Sequence, residues 1–203
     1  FLRLIDIFIG KYLAANIVIQ SNIYALFVIR FNLLAMKTFV KPKKHLGQHF
    51  LTDLNIARDI VDAVFYENAK TVIEVGPGTG VLTQYLKDKS NTLLLSEVDQ
   101  ESIAYLVDNF KFSQDDFCGD FLQMNLNEFA NNDVIVLGNF PYNISSQIFF
   151  KVLDYKEKVN QCVGMLQKEV AERICANPKT KKYNSLSVFC QTVSDVNYEF
   201  TVD

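Results

Sequence analysis

Thr71-Val-Ile-Glu-Val-Gly-Pro-Gly-Thr-Gly80 is the stretch on which the fold turns. Its first half, Thr71 to Val75, is short, apolar and rich in β-branched residues, which reads as a buried strand. Its second half, Gly76-Pro-Gly-Thr-Gly80, can only be a tight loop. A helix through Leu82, Tyr85 and Leu86 follows directly. Strand, glycine loop and helix in immediate succession form the first unit of a parallel α/β sheet.

Reading outward, the alternation continues on both sides. Upstream, Thr52 or Asp53 can cap a helix whose apolar face includes Leu54, Ile60, Val61 and Val64. Downstream, Thr92 to Ser96 is a second strand, and Asp99 or Ser102 can open a helix carrying Ile103, Leu106 and Val107. Asp116 to Cys118 reads as a third strand and Asp133 to Leu137 as a fourth. A helix from about Ser145 to Leu153, a strand at Cys162 to Leu166, a helix from Glu169 to about Ala176 and another from Ser185 to Val193 complete the pattern. Short connections between alternating strands and helices imply an α/β fold with a mostly parallel sheet covered on both faces. In such sheets ligands bind beyond the carboxyl ends of the strands, near the reversal of strand order.

The glycine loop sits at one such end. Gly76 and Gly78 let the backbone turn sharply and come close to a ligand. Glu97 ends the second strand about 20 residues later, where an acid can accept hydrogen bonds from ribose hydroxyls. Two cofactor classes share this geometry. A dinucleotide site presents a helix N-terminus to pyrophosphate and spaces its glycines G-x-G-x-x-G. Here the third glycine, Gly80, arrives one residue early, and Glu74 is a poor neighbour for an anion. S-adenosylmethionine carries a sulfonium and an ammonium and no phosphate, so nearby carboxylates favour it. Asp120, in Cys118-Gly-Asp-Phe121, can accept from an adenine amino group or simply cap the next turn.

Gly138-Asn-Phe-Pro-Tyr-Asn143 ends the strand Asp133 to Leu137. Adenine N6 is a weak nucleophile because its lone pair is delocalised into the ring. Two acceptors facing its amino hydrogens, the Asn139 side-chain carbonyl and a backbone carbonyl of the turn, would localise that lone pair and aim it. Pro141 makes the turn reproducible. Tyr142 can stack on the base and hold it out of its helix.

Composition narrows the class further. Of 203 residues, 49% are hydrophobic, enough for a sizeable core. Four cysteines without C-x-x-C spacing fit neither a disulfide framework nor a zinc site, and two histidines are too few for a histidine metal centre, so no metal is expected. The net charge of -3 argues against a nucleic-acid partner, but charge is unevenly placed. Lys37, Lys41, Lys43, Lys44 and His45 form one basic run, and Lys179, Lys181 and Lys182 another. Residues 1–35 differ from the rest. They are apolar, and about 18 of them from Tyr12 to Ile29 carry no charge, which is borderline for a membrane span. Asn16, Gln20, Ser21 and Asn22 interrupt that run at a cost in lipid. Residues 1–35 therefore read as a non-native or upstream extension, and residues 36–203 as the catalytic domain.

Taken together, these residues resemble the ribosomal RNA adenine N6-dimethyltransferase family. The likeness runs from about Lys43 to the end. It rests on His45-Leu-Gly-Gln-His-Phe-Leu51, Glu74-Val-Gly-Pro-Gly-Thr-Gly80, Asn139-Phe-Pro-Tyr-Asn-Ile-Ser145 and Met165-Leu-Gln-Lys-Glu-Val-Ala-Glu-Arg173. The resemblance implies a Rossmann-like S-adenosylmethionine-dependent methyltransferase fold. It puts cofactor contacts at His49, Leu51, Gly76, Glu97, Asp120 and Asn139, with Lys168 and Arg173 near RNA phosphates. His49 stands where the family often has asparagine, and Phe140 where it often has leucine. The small-subunit branch dimethylates adjacent adenosines near the 3′ end of small-subunit rRNA. The implied partner is thus small-subunit rRNA or a pre-ribosomal small subunit, met by a cytoplasmic monomer with no stable membrane association. The family continues with a final strand and a helical C-terminal domain, so the chain reads as truncated at Asp203. The large-subunit branch of the macrolide-resistance type, and a non-catalytic RNA-binding fragment, are the rival readings.

Overall fold

Apolar runs with no polar side facing water must be covered on both faces, and the two strands that read this way lie at the centre of the sheet. The computed structural model describes residues 40–202, preceded by the short segments Ala15–Asn16 and Arg30–Phe31. Those two segments pair antiparallel within a separate unit, Phe1–Phe39. The expectation for residues 1–35, an extension or an anchor, falls almost wholly outside the described residues. No helix among the described residues is long and apolar enough to cross a membrane.

In the second unit, strands β1 (Thr71–Val75), β2 (Thr92–Ser96), β3 (Val134–Asn139) and β4 (Val159–Met165) form one sheet in the order β2-β1-β3-β4. All pairs are parallel. The order runs one way from β1 to β2 and the other way from β3 to β4. The reversal therefore lies between the carboxyl ends of β1 and β3, where Gly76 and Asn139 leave the sheet.

Alternate residues of these strands serve opposite faces. Val72, Ile135 and Leu137 pack against Ala57, Ile60 and Val61 of α1 (Leu54–Asp62) and Leu86 of α2 (Thr83–Leu86). Ile73, Val75 and Val136 pack against Phe121, Leu126 and Ile148, the last from α4 (Ser145–Asp154). Helix α3 (Gln100–Phe110) sets Leu106 on Leu95 at the sheet edge. Helices α5 (Lys168–Ile174) and α6 (Ser185–Val193) cluster Ile174, Leu186 and Cys190 beside Phe149 and Leu166. Each fully buried aliphatic side chain contributes roughly 1.5–3 kcal/mol.

The caps fall where short polar side chains can serve the first free N–H groups. Asp53 accepts from Asn55 and Ile56, Asp99 accepts from Glu101, and Ser102 lies within α3 as a buried residue. Three expectations need correction. Leu54 is 48% exposed, and Ala57 takes the buried place, because the first turn of α1 lies outside the packed stretch. The strand expected at Asp116 to Cys118 is a single bridge from Phe117 to Leu95. Ser113 and Asp116 close a capping box on the 3-10 turn Gln114–Asp116 just before it, and Gly119 (φ 73) turns the chain away just after it. Strand β4 begins at Val159 rather than Cys162, since Val134 N–H donates to Lys158 carbonyl and carries the pairing back.

Candidate active site

The glycine loop follows β1 with Gly76 at φ 70 and Gly78 at φ 54, conformations that favour glycine. Space is tight at Gly78 as well. A Cβ on Gly76 would stand 3.4 Å from Pro141 Cγ, and one on Gly78 only 2.8 Å from Phe50 Cε1. The loop is thus wedged between the turn after β3 and the segment before α1. Gly76 N–H donates to Ser96 carbonyl at 2.9 Å, fixing the loop to the end of β2.

Glu97 follows β2 directly and is almost fully buried. Its Oε2 accepts from Gly78 N–H at 3.2 Å, and Oε1 accepts from Val98 and Asp99 N–H, both at 2.9 Å. Burial pushes its carboxyl above the ordinary range, and the three N–H groups act against that. Ser96 Oγ donates to Gly119 carbonyl at 2.8 Å, which ties in the Asp120 loop. Asp120 accepts from Leu122 N–H at 2.9 Å as the cap of a 3-10 turn, and it also lines the cleft. Lys151 reaches from α4 to donate to Leu122 carbonyl at 3.0 Å and to Met124 carbonyl, pinning that loop.

The turn after β3 is anchored by what surrounds it. Gly138 is obligatory, because a Cβ there would lie 2.3 Å from Val75 carbonyl. The Phe140 ring is fully buried over Gly164 of β4, in edge contact with Phe149 at 5.9 Å. Phe140 N–H donates to Met165 carbonyl at 3.2 Å. With that side chain held inside, Asn139 and Tyr142 face out. Asn139 Nδ2 donates to His49 carbonyl at 2.5 Å. Among the described residues nothing donates to Asn139 Oδ1, which leaves that oxygen free to accept. Tyr142 N–H donates to Gly47 carbonyl at 3.3 Å, and its ring stacks on His49 at 4.2 Å and 19°.

One cleft brings together His49, Gly76, Gly78, Glu97, Asp120 and Asn139, with Pro141 also in its wall. Leu51 and Glu74 line a smaller adjoining cavity instead, and Gly76 and Asn139 belong to both. Tyr142 lines neither. The sequence assigns His49 and Tyr142 separate tasks, yet the structure sets them ring to ring, so one face of Tyr142 is already covered. Val98, Phe50 and Leu122 were not singled out from sequence and line the cleft. Val98 is 52% exposed directly after the buried Glu97, and an apolar residue beside that acid was the available signal. Lys43, counted in a basic run, is paired with Asp99 and Glu101 and is not free for phosphate.

The residues fit a cationic nucleoside cofactor without phosphate. Glu74 is buried, its Oε2 has no hydrogen-bond partner, and Thr83 Oγ1 also lacks one. Burial pushes the Glu74 carboxyl up to about 8; the neighbouring Thr83 favours the charged form and the Glu97 charge opposes it. A cation placed here would compensate that carboxylate, whereas pyrophosphate would face two acids. Among the described residues no Lys or Arg lines either cavity, and no cluster of His, Cys, Asp and Glu could hold a metal ion.

Residues 39–203 match the ribosomal RNA adenine dimethylase family. The chain belongs to that family. Its fold is accordingly the Rossmann-like methyltransferase fold. Ribosomal RNA small subunit methyltransferase A of Phocaeicola vulgatus is 52% identical over 165 residues, covering 80% of this chain and 59% of that protein. The protein of the same name from Parabacteroides distasonis is 52% identical over 164 residues, covering 80% and 62%. The chain thus spans about three fifths of the length of the curated relatives it matches. Among solved structures, a dimethyladenosine transferase from Plasmodium falciparum shares 26% identity at a TM-score of 0.60, over 70% of this chain and 52% of that one. The 23S rRNA methyltransferase ErmE, at 23% identity and a TM-score of 0.52 over 62% and 50%, is a likeness of fold alone.

Proposed function

We propose that the chain carries the catalytic core of an S-adenosylmethionine-dependent adenine N6-dimethyltransferase acting on small-subunit rRNA, at adjacent adenosines near its 3′ end. One observation carries the reading. Asn139 is held by its amide nitrogen on His49 carbonyl, with Oδ1 left to accept, in the wall of the cleft that also contains Glu97. Relatives at 52% identity named for small-subunit rRNA support that substrate over the large-subunit alternative, since the 23S enzyme shares only the fold.

The bound cofactor supplies an electrophilic methyl group on a sulfonium. Gly76 and Gly78 allow close approach of the backbone. Glu97 keeps lone pairs for ribose hydroxyls beyond its three N–H partners, and Asp120 keeps one oxygen for an adenine amino group. Glu74 balances positive charge. Val98 and Leu122 offer apolar surface to the purine. At the acceptor, Asn139 Oδ1 and a backbone carbonyl of the turn take the two amino hydrogens and localise the N6 lone pair. Pro141 braces the turn against Gly76, and the open face of Tyr142 stacks on the base. No strong base is needed, because the alkylated amine is acidic and can lose its proton to water. Alignment supplies the rest, at several kcal/mol. Residues 36–203 form the catalytic unit, and residues 1–35 are dispensable to it. The protein works as a cytoplasmic monomer on pre-ribosomal small subunits, without stable membrane association.

The test is transfer of labelled methyl groups to purified small and large subunits that lack the modification. Dimethyladenosine in small-subunit rRNA alone is the expected result. Label confined to large-subunit rRNA overturns the substrate assignment.

A further inference from the structure

Residues 43–50 form a strap with one 3-10 turn, Lys44–Leu46, closed by Gly47 at φ 64. Such a segment has little regular structure to fix it, so its position depends on its fastenings. It has two. At the catalytic end Gly47 and His49 carbonyls accept from Tyr142 N–H and Asn139 Nδ2, and the His49 ring lies on Tyr142. At the other end Lys43 Nζ stands 2.5 Å from Asp99 Oδ1 and 3.2 Å from Glu101 Oε1. Gln48 Nε2 donates to Asp99 Oδ2 at 3.5 Å, and Gln48 Oε1 accepts from Lys43 N–H at 2.9 Å. Between the fastenings, Leu46, Gln48, His49 and Phe50 form wall of the cofactor cleft.

Asp99 is not in the lining of the cleft, yet it joins the strap to α3 and to Glu97, which does line it. It caps α3 through Glu101 N–H, receives Ser102 Oγ at 3.1 Å, and gives its own N–H to Glu97 Oε1. Its side chain is 2% exposed against 27% for Lys43, so this is not an ordinary surface pair: unpairing it leaves a buried carboxylate without its counter-charge. We infer that Asp99 is a positioning residue for the cofactor site, latching the strap through Lys43 and Gln48 so that Leu46, Gln48, His49 and Phe50 keep their places along the cleft. This rests on the functional reading above. A wall already in place spares the cofactor the ordering cost of binding, so the latch acts on affinity.

Asp99→Asn keeps a good helix cap while removing the charge, and Lys43→Gln removes its partner from the surface side and leaves the cap of α3 in place. The measurement is S-adenosylmethionine affinity by calorimetry, together with amide hydrogen exchange of residues 44–50, on the parent, both single variants and the double variant. Each single variant should bind roughly tenfold more weakly, with faster exchange in the strap. The double variant should be no weaker than the singles, because one pair is broken only once. Parental affinity in Lys43→Gln, or additive losses with unchanged strap exchange, overturns the inference and leaves Asp99 a helix cap. A parent that binds no S-adenosylmethionine overturns the functional reading instead, and the strap exchange then still decides whether the latch exists.

Discussion

On one side of the cleft Glu97 is buried and receives three backbone N–H groups, on a loop between the edge strand β2 and α3 that is tied to the glycine loop after β1. On the other, Asn139 and His49 line the cleft, and the His49 ring stacks on Tyr142 just outside it at a partly exposed surface. The first side is built from main chain and can hardly move without unmaking the sheet. The second is fastened by side chains, and a polynucleotide substrate must reach it. Substitutions should therefore separate cleanly, with the cofactor side changing affinity and stability and the acceptor side changing chemistry.

The largest effect should come from Asn139→Ala in an rRNA methylation assay. Losing an acceptor aimed at the reacting amine should cost about a thousandfold in rate, or ~4 kcal/mol, while urea unfolding shifts little because the side chain is partly exposed. A variant that lost as much stability as rate would erase the contrast. Next is Gly138→Ala, whose Cβ would meet Val75 carbonyl at 2.3 Å between two central strands. Backbone cannot yield as a side chain can, and unfolding should show a loss of about 3 kcal/mol.

A smaller effect should appear as a pH dependence. Glu74 has its carboxyl raised from 4.5 to about 8. Between those values the unfolded chain has released a proton that the folded chain keeps. Stability should therefore fall as pH rises through that window and level off above it. Glu74→Gln should flatten that slope in thermal unfolding measured across pH. Cofactor affinity should rise with pH in the upper part of the window and lose that rise in the same variant, since a cation beside Glu74 favours the ionised form.

Local patterning made much of this legible. Thr71 to Val75 and the loop after it located β1 and the switch point, and α6 has the bounds its periodicity indicates, Ser185–Val193. What escaped depended on contacts between distant segments. Ser113-Gln-Asp-Asp116 has capping-box spacing, but only the fold shows that it leaves the strand as one bridge. Neither His49 nor Tyr142 carries a mark of the other, 93 positions apart in numbering and 4.2 Å apart between ring centroids. Lys43 looked like part of a basic run because its acid partners, Asp99 and Glu101, lie on another element. Likewise Leu51 and Glu74 belong by sequence with the other cofactor contacts, and only packing divides them into a second cavity.

If the cofactor and the acceptor base meet different residues of the site, calorimetry of S-adenosylmethionine binding separates the two groups. Glu97→Ala and Tyr142→Ala should be titrated against the parent under one buffer. Removing charge-assisted hydrogen bonds at Glu97 should cost roughly 1.5–3 kcal/mol of affinity, while Tyr142→Ala should bind the cofactor within about threefold of the parent, ~0.7 kcal/mol. Equal affinities for Glu97→Ala and the parent would remove Glu97 from the cofactor site.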